Sequence, residues 1–440
     1  MSTDRSRADR AGTSFYTRLP FFYGWVVIAV AFVTLAIGVN ARTAFSLLYP
    51  PILTEFGWSR AATAAAFSVG FLVATVLSPF IGMAMDRSGP RLLIPAAAII
   101  MSIGLVLATY ISEPWHLYAT FGVLVVGLNV VMSYIGHSTF LPNWFDRRRG
   151  LAIGIAFAGV GVGSIMVLPW LQAMIDASGW RTASWALAIL VVVVVVPLNL
   201  LFQRRRPQDL GLAPDGEVAP APGTVSNARS SRVVDADWAA IDWTLRRAMR
   251  TARFWWLCVA SFSALFAWYG IQVHQTKFLI EVGFGRQEAA WALGLVGLAG
   301  IAGQIGVGAM SDHIGREWSW TVAALGFAAC YGLLLLMPNN PDPVLMYLMV
   351  GAQGLFGFGI APIYAAIPAD IFQGKHYGTI FGTLSLAASL GAAAGPWVLG
   401  YLYDLEGSYE SGFQCSLALC LVSIGCIWAA APRKVRSVGR

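Results

Sequence analysis

The feature that most constrains this chain is a series of long apolar runs separated by short polar turns. Twelve runs can be drawn, each close to the ~20 residues that a helix needs to cross a bilayer. Only 12% of the residues are charged and 57% are hydrophobic, so the chain has too little polar surface to cover itself in water. The pattern predicts an all-α membrane protein with twelve transmembrane helices.

The predicted spans form two sets of six on either side of a polar segment. The first set is Tyr23–Tyr49, Ala61–Met85, Arg91–Ile111, Trp115–Thr139, Gly150–Ile175 and Arg181–Phe202. The second set is Phe254–Leu279, Gln287–Met310, Trp318–Met337, Val344–Ile367, Gly378–Tyr403 and Phe413–Ala431. We therefore expect a tail (1–22), a six-helix half (23–203), a linker (204–253), a second six-helix half (254–431) and a second tail (432–440).

A polar motif recurs between the second and third spans of each set. The first copy contains Gly82, Asp86, Arg87, Gly89 and Arg91. The second copy begins 226 residues later and contains Gly308, Asp312, Gly315 and Arg316. Glycine permits a positive φ in the turn, and an acidic residue is favourable near a helix start. The repeat predicts duplicated halves, which is how many secondary transporters are built.

The distribution of positive charge predicts the orientation in the membrane. If both termini are cytoplasmic, 24 of the 29 Lys and Arg residues lie inside, three lie outside, and two, Arg42 and Lys277, lie within spans. The positive-inside rule therefore predicts that the N and C termini are cytoplasmic. The expected location is a bacterial-type plasma membrane. This bias accounts for the net charge of +7, so we expect lipid and no nucleic acid as a macromolecular partner.

The linker has two parts of different composition. Residues 213–231 are rich in Ala, Pro, Gly and Ser, as flexible linkers are. In residues 235–253, apolar side chains recur at helical spacing beside several arginines, namely at Trp238, Ile241, Leu245 and Met249. This part is predicted to be an amphipathic helix on the inner membrane surface. The alternative is a solvated basic linker.

The Gly-x3-Asp-Arg-x-Gly-x-Arg motif of the first half resembles the loop between helices 2 and 3 of the major facilitator superfamily. The resemblance implies the major facilitator fold, in which two six-helix halves rock about a central site. It also implies that the loop's charged residues make state-dependent contacts on the cytoplasmic side. The candidates for this conformational latch are Gly82, Asp86, Arg87, Gly89, Arg91, Asp312 and Arg316.

A second group of motifs is similar to one branch of that superfamily. Trp144, Phe145 and the arginines 147–149 follow a polar end of the fourth span, and a fifth span rich in Gly and Ala comes next. This arrangement resembles the monocarboxylate transporters and the bacterial oxalate/formate antiporters, as do residues 24–25, 56–60 and 179–181. The resemblance implies a small organic anion, such as a monocarboxylate, as substrate.

Arg42 is the strongest candidate for a binding residue. An arginine at mid-membrane costs about 2.5–3.5 kcal/mol on insertion scales, and no acid lies in the middle of any predicted span. A carboxylate substrate can supply the missing partner through two parallel hydrogen bonds. By resemblance, Arg42 falls within one position of the lysine that binds the substrate carboxylate in monocarboxylate transporters. The alternative is an arginine that extends to water at the outer end of the span.

The eighth span departs from the pattern of that branch. There the family carries an Asp and, four residues on, an Arg that couple protons in the animal transporters; this chain has Gly300 and Gln304. Gln304 either contacts the substrate or makes an interhelical hydrogen bond. By resemblance, helices 1, 4, 7 and 10 line the cavity. The further binding candidates on these helices are Asn40, Tyr134, His137, His274 and Tyr364.

Energy for transport is expected from an ion gradient, because the sequence has no nucleotide-binding Gly-x4-Gly-Lys loop. The candidates for a proton carrier are His137, His274, Lys277 and the substrate itself. The alternatives are a hydrogen-bonded structural role for each histidine and a water-facing ammonium for the lysine. The expected small-molecule partners are therefore an organic anion and either a coupling proton or a counter-anion.

The leading hypothesis is a secondary active transporter of a small organic anion, working by alternating access as a symporter or antiporter. A second hypothesis is efflux of a hydrophobic or zwitterionic compound, favoured by the 17 tryptophans and the missing eighth-span arginine. The absence of nucleophile–base or metal-ligand spacing argues against an enzyme, so no metal or cofactor is expected. A transporter-like ligand sensor is disfavoured, because the tail and linker are too polar for a folded signalling domain.

Overall fold

The computed structural model describes residues 21–58, 60–216, 233–338 and 341–436. Nearly all of the predicted N-terminal tail, most of the predicted flexible part of the linker and the last four residues of the C-terminal tail lie outside these ranges. In the described part of the chain, regular structure is helical except for one isolated bridge between Val233 and Arg436. The expectation of an all-α protein is confirmed.

Six long helices make up the first half. They are α1 (Gly24–Phe56), α2 (Arg60–Ser88), α3 (Pro90–Leu107), α4 (Pro114–Asn143), and α5 and α6 within the continuous run Arg149–Phe202. Gly179 divides that run, because its φ of 80° and ψ of 162° are not helical. We therefore assign residues 149–178 to α5 and residues 180–202 to α6.

The second half repeats this arrangement. Its helices are α7 (Ala252–Glu281), α8 (Arg286–Ile314), α9 (Arg316–Leu336), α10 (Pro343–Ile371), α11 (Tyr377–Glu406) and α12 (Glu410–Ala430). Within the described residues, eleven helical runs are long and apolar enough to cross a membrane. The division at Gly179 makes twelve spans, as predicted. Asp370, which the predicted bounds left outside the tenth span, is the penultimate residue of α10.

The repeated motif forms the same backbone turn in both halves. Gly89, between α2 and α3, has a φ of 71° and a ψ of 169°. Gly315, between α8 and α9, has a φ of 99° and a ψ of 161°. This region of φ and ψ is accessible essentially to glycine alone. We call the end of the helix bundle that carries these two turns the motif face, and the other end the opposite face.

The fourth helix of each half is wound irregularly near its middle. In α4, a π-helical segment (Tyr118–Gly127) is followed by a 3₁₀ segment (Leu128–Met132) and an extended residue, Ser133. In α10, a shorter π-helical segment (Ala352–Phe356) is followed by a 3₁₀ turn (Gly357–Gly359). Such segments are uncommon in proteins, and those that occur are often found at functional sites. Residues that follow both segments, among them Tyr134 and Tyr364, line the space between the halves.

Each half has its own apolar core. Buried rings anchor both cores, among them Phe121 and Phe157 in the first half and Trp320 and Phe327 in the second. Ile135 of α4 packs against both cores, as does Ala361 of α10. The two halves are therefore largely separate packing units that meet along a seam, where α5 packs on α8 and α2 packs on α11.

The described part of the linker differs from the predicted amphipathic helix. It forms two short helices, Ala236–Ala240 and Leu245–Met249. Trp243 is buried, its ring contacts those of Trp238 and Phe372, and the Trp238 indole donates to the Ile371 carbonyl at 2.9 Å. These indoles pack against the apolar surface at the end of α10. The turn between the two short helices interrupts the continuous helical periodicity that the sequence predicts.

Candidate functional site

A cavity lies at the seam between the two halves. Its volume is about 130 Å³, and six helices line it: α1, α2 and α4 from the first half, and α7, α10 and α11 from the second. The lining residues are Arg42, Phe71, Ala74, Thr75, Val126, Val130, Ser133, Tyr134, Ile135, Leu265, Trp268, Tyr269, Ile360, Ala361, Tyr364, Ala388, Ser389 and Ala392. The irregular segments of α4 and α10 precede or contain several of these positions.

Arg42 of α1 supplies the only charge among the side chains that line the cavity. Its guanidinium lies 5.4 Å from the centre of the Phe71 ring, and its Nε is buried without a hydrogen-bond partner. It forms no ion pair with any residue that the structure describes. A partly buried guanidinium with a buried free donor is a ready anion site.

Two tyrosines from equivalent helices face the cavity. The Tyr364 hydroxyl of α10 is 3.0 Å from the Ser385 Oγ of α11. Tyr134 of α4 lies close enough to Gln304, Tyr269 and Arg42 to interact with each of them. Gln304 is itself only 4% exposed, and its Oε1 has no hydrogen-bond partner. Arg42, Tyr134 and Tyr364 therefore line the same cavity. Gln304 contacts Tyr134 but is not itself among the lining residues.

Toward the motif face, Asp86 closes the cavity by capping a helix of the other half. Its carboxylate accepts hydrogen bonds from the Gly378 and Thr379 backbone N–H groups at 3.1 and 2.8 Å, and from the Thr379 hydroxyl at 2.9 Å. These donors open α11, so the carboxylate sits at the positive end of the helix dipole. Arg205 also donates to the carboxylate, at 3.0 Å. Burial and the nearby Arg206 charge lower the pKa of the Arg205 guanidinium, and Asp86 opposes that shift.

Asp312 makes the corresponding contact in the other direction. Its two carboxylate oxygens accept from the Gly150 and Leu151 backbone N–H groups, each at 2.9 Å, where α5 begins. Arg316 donates to the same carboxylate at 2.8 Å. Each half therefore contributes one aspartate that caps a helix of its partner half. Of the other predicted latch residues, Arg87 is exposed and Arg91 donates to the Leu200 carbonyl at 2.8 Å.

A buried ionic network joins the halves beside these caps. Asp370 at the end of α10 accepts from Arg149 of α5 and, at 2.8 Å, from Arg316 of α9. Arg149 and Arg316 are each 1% exposed and Asp370 is 4% exposed. Arg149 also donates to Asp146 at 2.9 Å. The two buried guanidiniums thus depend on shared carboxylates for their neutralisation.

Glycine allows the halves to touch at the motif face. Gly82 of α2 lies against the Gly378 carbonyl of α11, and Gly150 of α5 lies against the Gly308 carbonyl of α8. A Cβ at Gly82 or Gly150 would overlap the opposing carbonyl oxygen. Backbone contact of this kind is what small residues permit between membrane helices. Together with the caps and the ionic network, it seals this face of the cavity.

The sequence matches one protein family along nearly its whole length. The family model described as Major Facilitator Superfamily matches two overlapping segments, residues 26–361 and 276–440. The chain belongs to the major facilitator superfamily. It is therefore an integral membrane transporter and not an enzyme.

Relatives and solved structures agree with this family. The chain is 24% identical to monocarboxylate transporter 13 of Bos taurus over 92% of its own length and 88% of that protein. It is also 24% identical to human monocarboxylate transporter 12, over 91% of this chain and 79% of that protein. The structure of the proton:xylose symporter XylE superposes with a TM-score of 0.72 at 13% identity, covering 92% of this chain and 95% of that one. The transporter thus resembles the monocarboxylate transporter branch.

Asn40 and Lys277 of the transporter do not face the cavity. Asn40 donates to the Ala36 and Val160 carbonyls at 2.8 and 3.0 Å and accepts from Ser164 at 2.9 Å, which ties α1 to α5. The Lys277 side chain is 67% exposed and lies 3.6 Å from Glu281. The first residue holds two helices of one half together, and the second faces outward from α7.

The two candidate histidines occupy different surroundings. His137 is fully buried on the motif-face side of the cavity lining, with Nδ1 3.0 Å from the Ser133 carbonyl and Nε2 without a partner. His274 has partners at both nitrogens: Nδ1 is 3.2 Å from the Tyr409 hydroxyl and Nε2 is 2.9 Å from the Pro396 carbonyl. A carbonyl can only accept, so the proton sits on Nδ1 of a neutral His137 and on Nε2 of a neutral His274.

Several residues of the site were not among the sequence candidates. Trp268 and Tyr269 line the cavity from α7. They are consecutive aromatic residues before a glycine on a helix that the family resemblance places at the cavity, which was a usable indication. Asp370 and Thr379 have no comparable indication, because their partners lie more than fifty residues away in the sequence or in the other half.

Proposed function

We propose that the transporter moves a small organic anion, a monocarboxylate, across the membrane by alternating access. Arg42 carries this proposal, since it is the one charged side chain that lines the cavity and has no ionic partner in the described structure. A guanidinium binds a carboxylate through two parallel hydrogen bonds. The names of the relatives that match nine-tenths of the chain support the same substrate class.

In this proposal the binding residues have distinct tasks. Arg42 holds the carboxylate, while Tyr134 and Tyr364 contact the substrate from opposite halves. Gln304 orients Tyr134 from behind. Asn40 and His274 act indirectly, because their hydrogen bonds fix helices that carry cavity residues.

The two aspartate caps serve as the conformational latch. We assign the motif face to the cytoplasm, together with both termini, on the strength of the charge distribution in the sequence. The described conformation is then closed to the cytoplasm. Opening requires that α11 leaves Asp86, that α5 leaves Asp312, and that Arg149 separates from Asp370.

A coupling proton or counter-anion supplies the energy. Among the candidates, His137 fits a proton carrier best, because its Nε2 is unprotonated in the neutral form and has no partner. Both nitrogens of His274 are occupied, and Lys277 is exposed to the outside of the bundle. A counter-anion would instead use Arg42 alternately with the substrate.

The second candidate function is efflux of a hydrophobic compound. The apolar character of most lining residues favours it, since an uncharged ligand would be buried against the same walls. The two functions differ in their dependence on Arg42.

The deciding experiment measures the thermal stability of the purified transporter against a panel of small carboxylates and their neutral amides. A ligand present at one hundred times its Kd stabilises the folded protein by about 2.7 kcal/mol. We expect a carboxylate to raise the melting temperature of the wild type and of the exposed control Arg250→Gln, but not of Arg42→Gln. Equal stabilisation of Arg42→Gln contradicts the anion function, and stabilisation by the amides alone supports efflux.

A further inference from the structure

Part of the cavity lining is aromatic, formed by Trp268 and Tyr269 of α7, and the packing that supports it starts at Gly300 of α8. The Phe358 ring of α10 lies against Gly300, where a Cβ would overlap the ring. With no side chain at residue 300, the ring of Phe358 occupies the space that an ionisable group would need.

Phe358 in turn supports Trp268. The two rings are stacked, with centroids 4.5 Å apart and planes inclined by 19°. Phe327 contacts the indole from another side, at 5.6 Å between centroids. Trp268 is only 8% exposed, yet it lines the cavity beside Tyr269. The indole is therefore held rigidly, as a preformed surface, with part of its ring presented to the ligand space.

The rest of the cavity lining is mostly apolar and carries no negative charge. Phe71 lies beside Arg42, and the other lining side chains are mostly aliphatic. None of the lining residues carries a carboxylate, so the cavity has no group for a second, cationic end of a ligand. A zwitterion would bury its ammonium group without a negatively charged partner, which is strongly unfavourable.

The volume of the cavity limits the size of the substrate to about one aromatic ring. Its volume of about 130 Å³ is close to the ~150 Å³ of an engineered apolar cavity that binds benzene. A two- or three-carbon acid on Arg42 would leave the indole and aliphatic walls in contact with water. A single aromatic ring can cover Trp268 in an offset-stacked or edge-to-face arrangement.

We propose that the preferred substrate is an aromatic monocarboxylate with one ring and no ammonium group, such as an arylacetate. Its carboxylate binds Arg42 and its ring packs on Trp268 and Tyr269. This inference rests on the proposed anion function and narrows it. Trp268 is then the residue that sets specificity, and Phe358 is the residue that positions it.

The test compares the half-saturating concentrations of acetate, phenylacetate and phenylacetamide in thermal stabilisation of the purified full-length transporter. We expect phenylacetate to act at a concentration at least about ten-fold lower than acetate, from the additional ring contacts. Trp268→Leu should remove about five- to ten-fold of that preference, because it weakens the binding of phenylacetate more than that of acetate. Trp291→Leu is the matched control, because Trp291 is 65% exposed on the outside of α8.

The outcomes separate the two proposals. If acetate binds as tightly as phenylacetate, or if Trp268→Leu weakens both acids equally, the aromatic substrate is excluded while the anion function stands. If phenylacetamide binds as tightly as phenylacetate, the anion function itself fails. If Trp268→Leu does not fold, the comparison of the three compounds on the wild type alone decides whether the substrate is an aromatic acid.

Discussion

Replacing Asp86 by Asn tests whether the helix caps hold the motif face closed. The carboxylate accepts two backbone N–H groups and one hydroxyl from the start of α11. Hydrogen bonds to charged groups contribute about 1.5–3 kcal/mol each, against 0.5–1.5 kcal/mol for neutral ones. The charge at the helix N-terminus adds about 0.3–1 kcal/mol. An amide keeps one acceptor oxygen, so we expect the closed state to lose about 2 kcal/mol relative to the open state.

A shift of this size changes the ratio of open to closed molecules by about thirty-fold, since 1.4 kcal/mol corresponds to a factor of ten. Ser78 reports this ratio. It lies on α2, fully buried against α11, and its Oγ donates to the Gly382 carbonyl at 3.1 Å. In a chain with its five native cysteines replaced by alanine, Ser78→Cys should be alkylated about thirty times faster when Asp86→Asn is also present.

Asp209→Asn provides the matched control. Asp209 is an exposed carboxylate on the same face, and within the described residues its side chain accepts from the nearby Arg206 backbone N–H at 3.1 Å and caps no helix of the other half. The control should leave the alkylation rate unchanged. A rate for Asp86→Asn within about three-fold of the parent, or an equal increase in the control, would show that the cap does not set the closed population.

Two further substitutions address the buried charges of the seam. Asp370→Asn removes the negative charge that neutralises the guanidiniums of Arg149 and Arg316. The free energy of unfolding should therefore fall by about 3–5 kcal/mol. An unchanged melting temperature in detergent would contradict the role of this network. His137→Gln should abolish the pH dependence of anion uptake into proteoliposomes, because it removes the free Nε2, whereas His274→Gln should keep it. A normal pH profile in His137→Gln would mean that the proton does not travel on this side chain.

The sequence was sufficient for features that depend on local physics. Each span follows from hydropathy along one segment, and the turns at Gly89 and Gly315 follow from a backbone conformation that favours glycine. Arg42 could be singled out because an arginine in an apolar span needs an explanation wherever the helix lies. These inferences require no knowledge of which helices are neighbours.

Features that depend on packing between distant helices were beyond the sequence. The importance of Asp370 arises from two arginines that meet it in space, one of them 221 residues away. Phe358 reaches Gly300 only because α8 and α10 pack closely, and nothing in either segment marks the pair. His274 looked like a cavity residue until its partners on and beside α11 were known. Hydropathy gives the spans but not the rotation of each helix about its own axis.

The backbone contacts at Gly82 and Gly150 have a consequence for the entropy of closure. Long side chains that interlock at an interface lose about 1.5–2 kcal/mol of rotamer freedom each time they are ordered. Glycine has no rotamers to lose, and the nearest opposing group at each of these two contacts is a main-chain carbonyl already fixed within a helix. Because each closing event orders few torsions there, the halves can meet in one register in every transport cycle with little search.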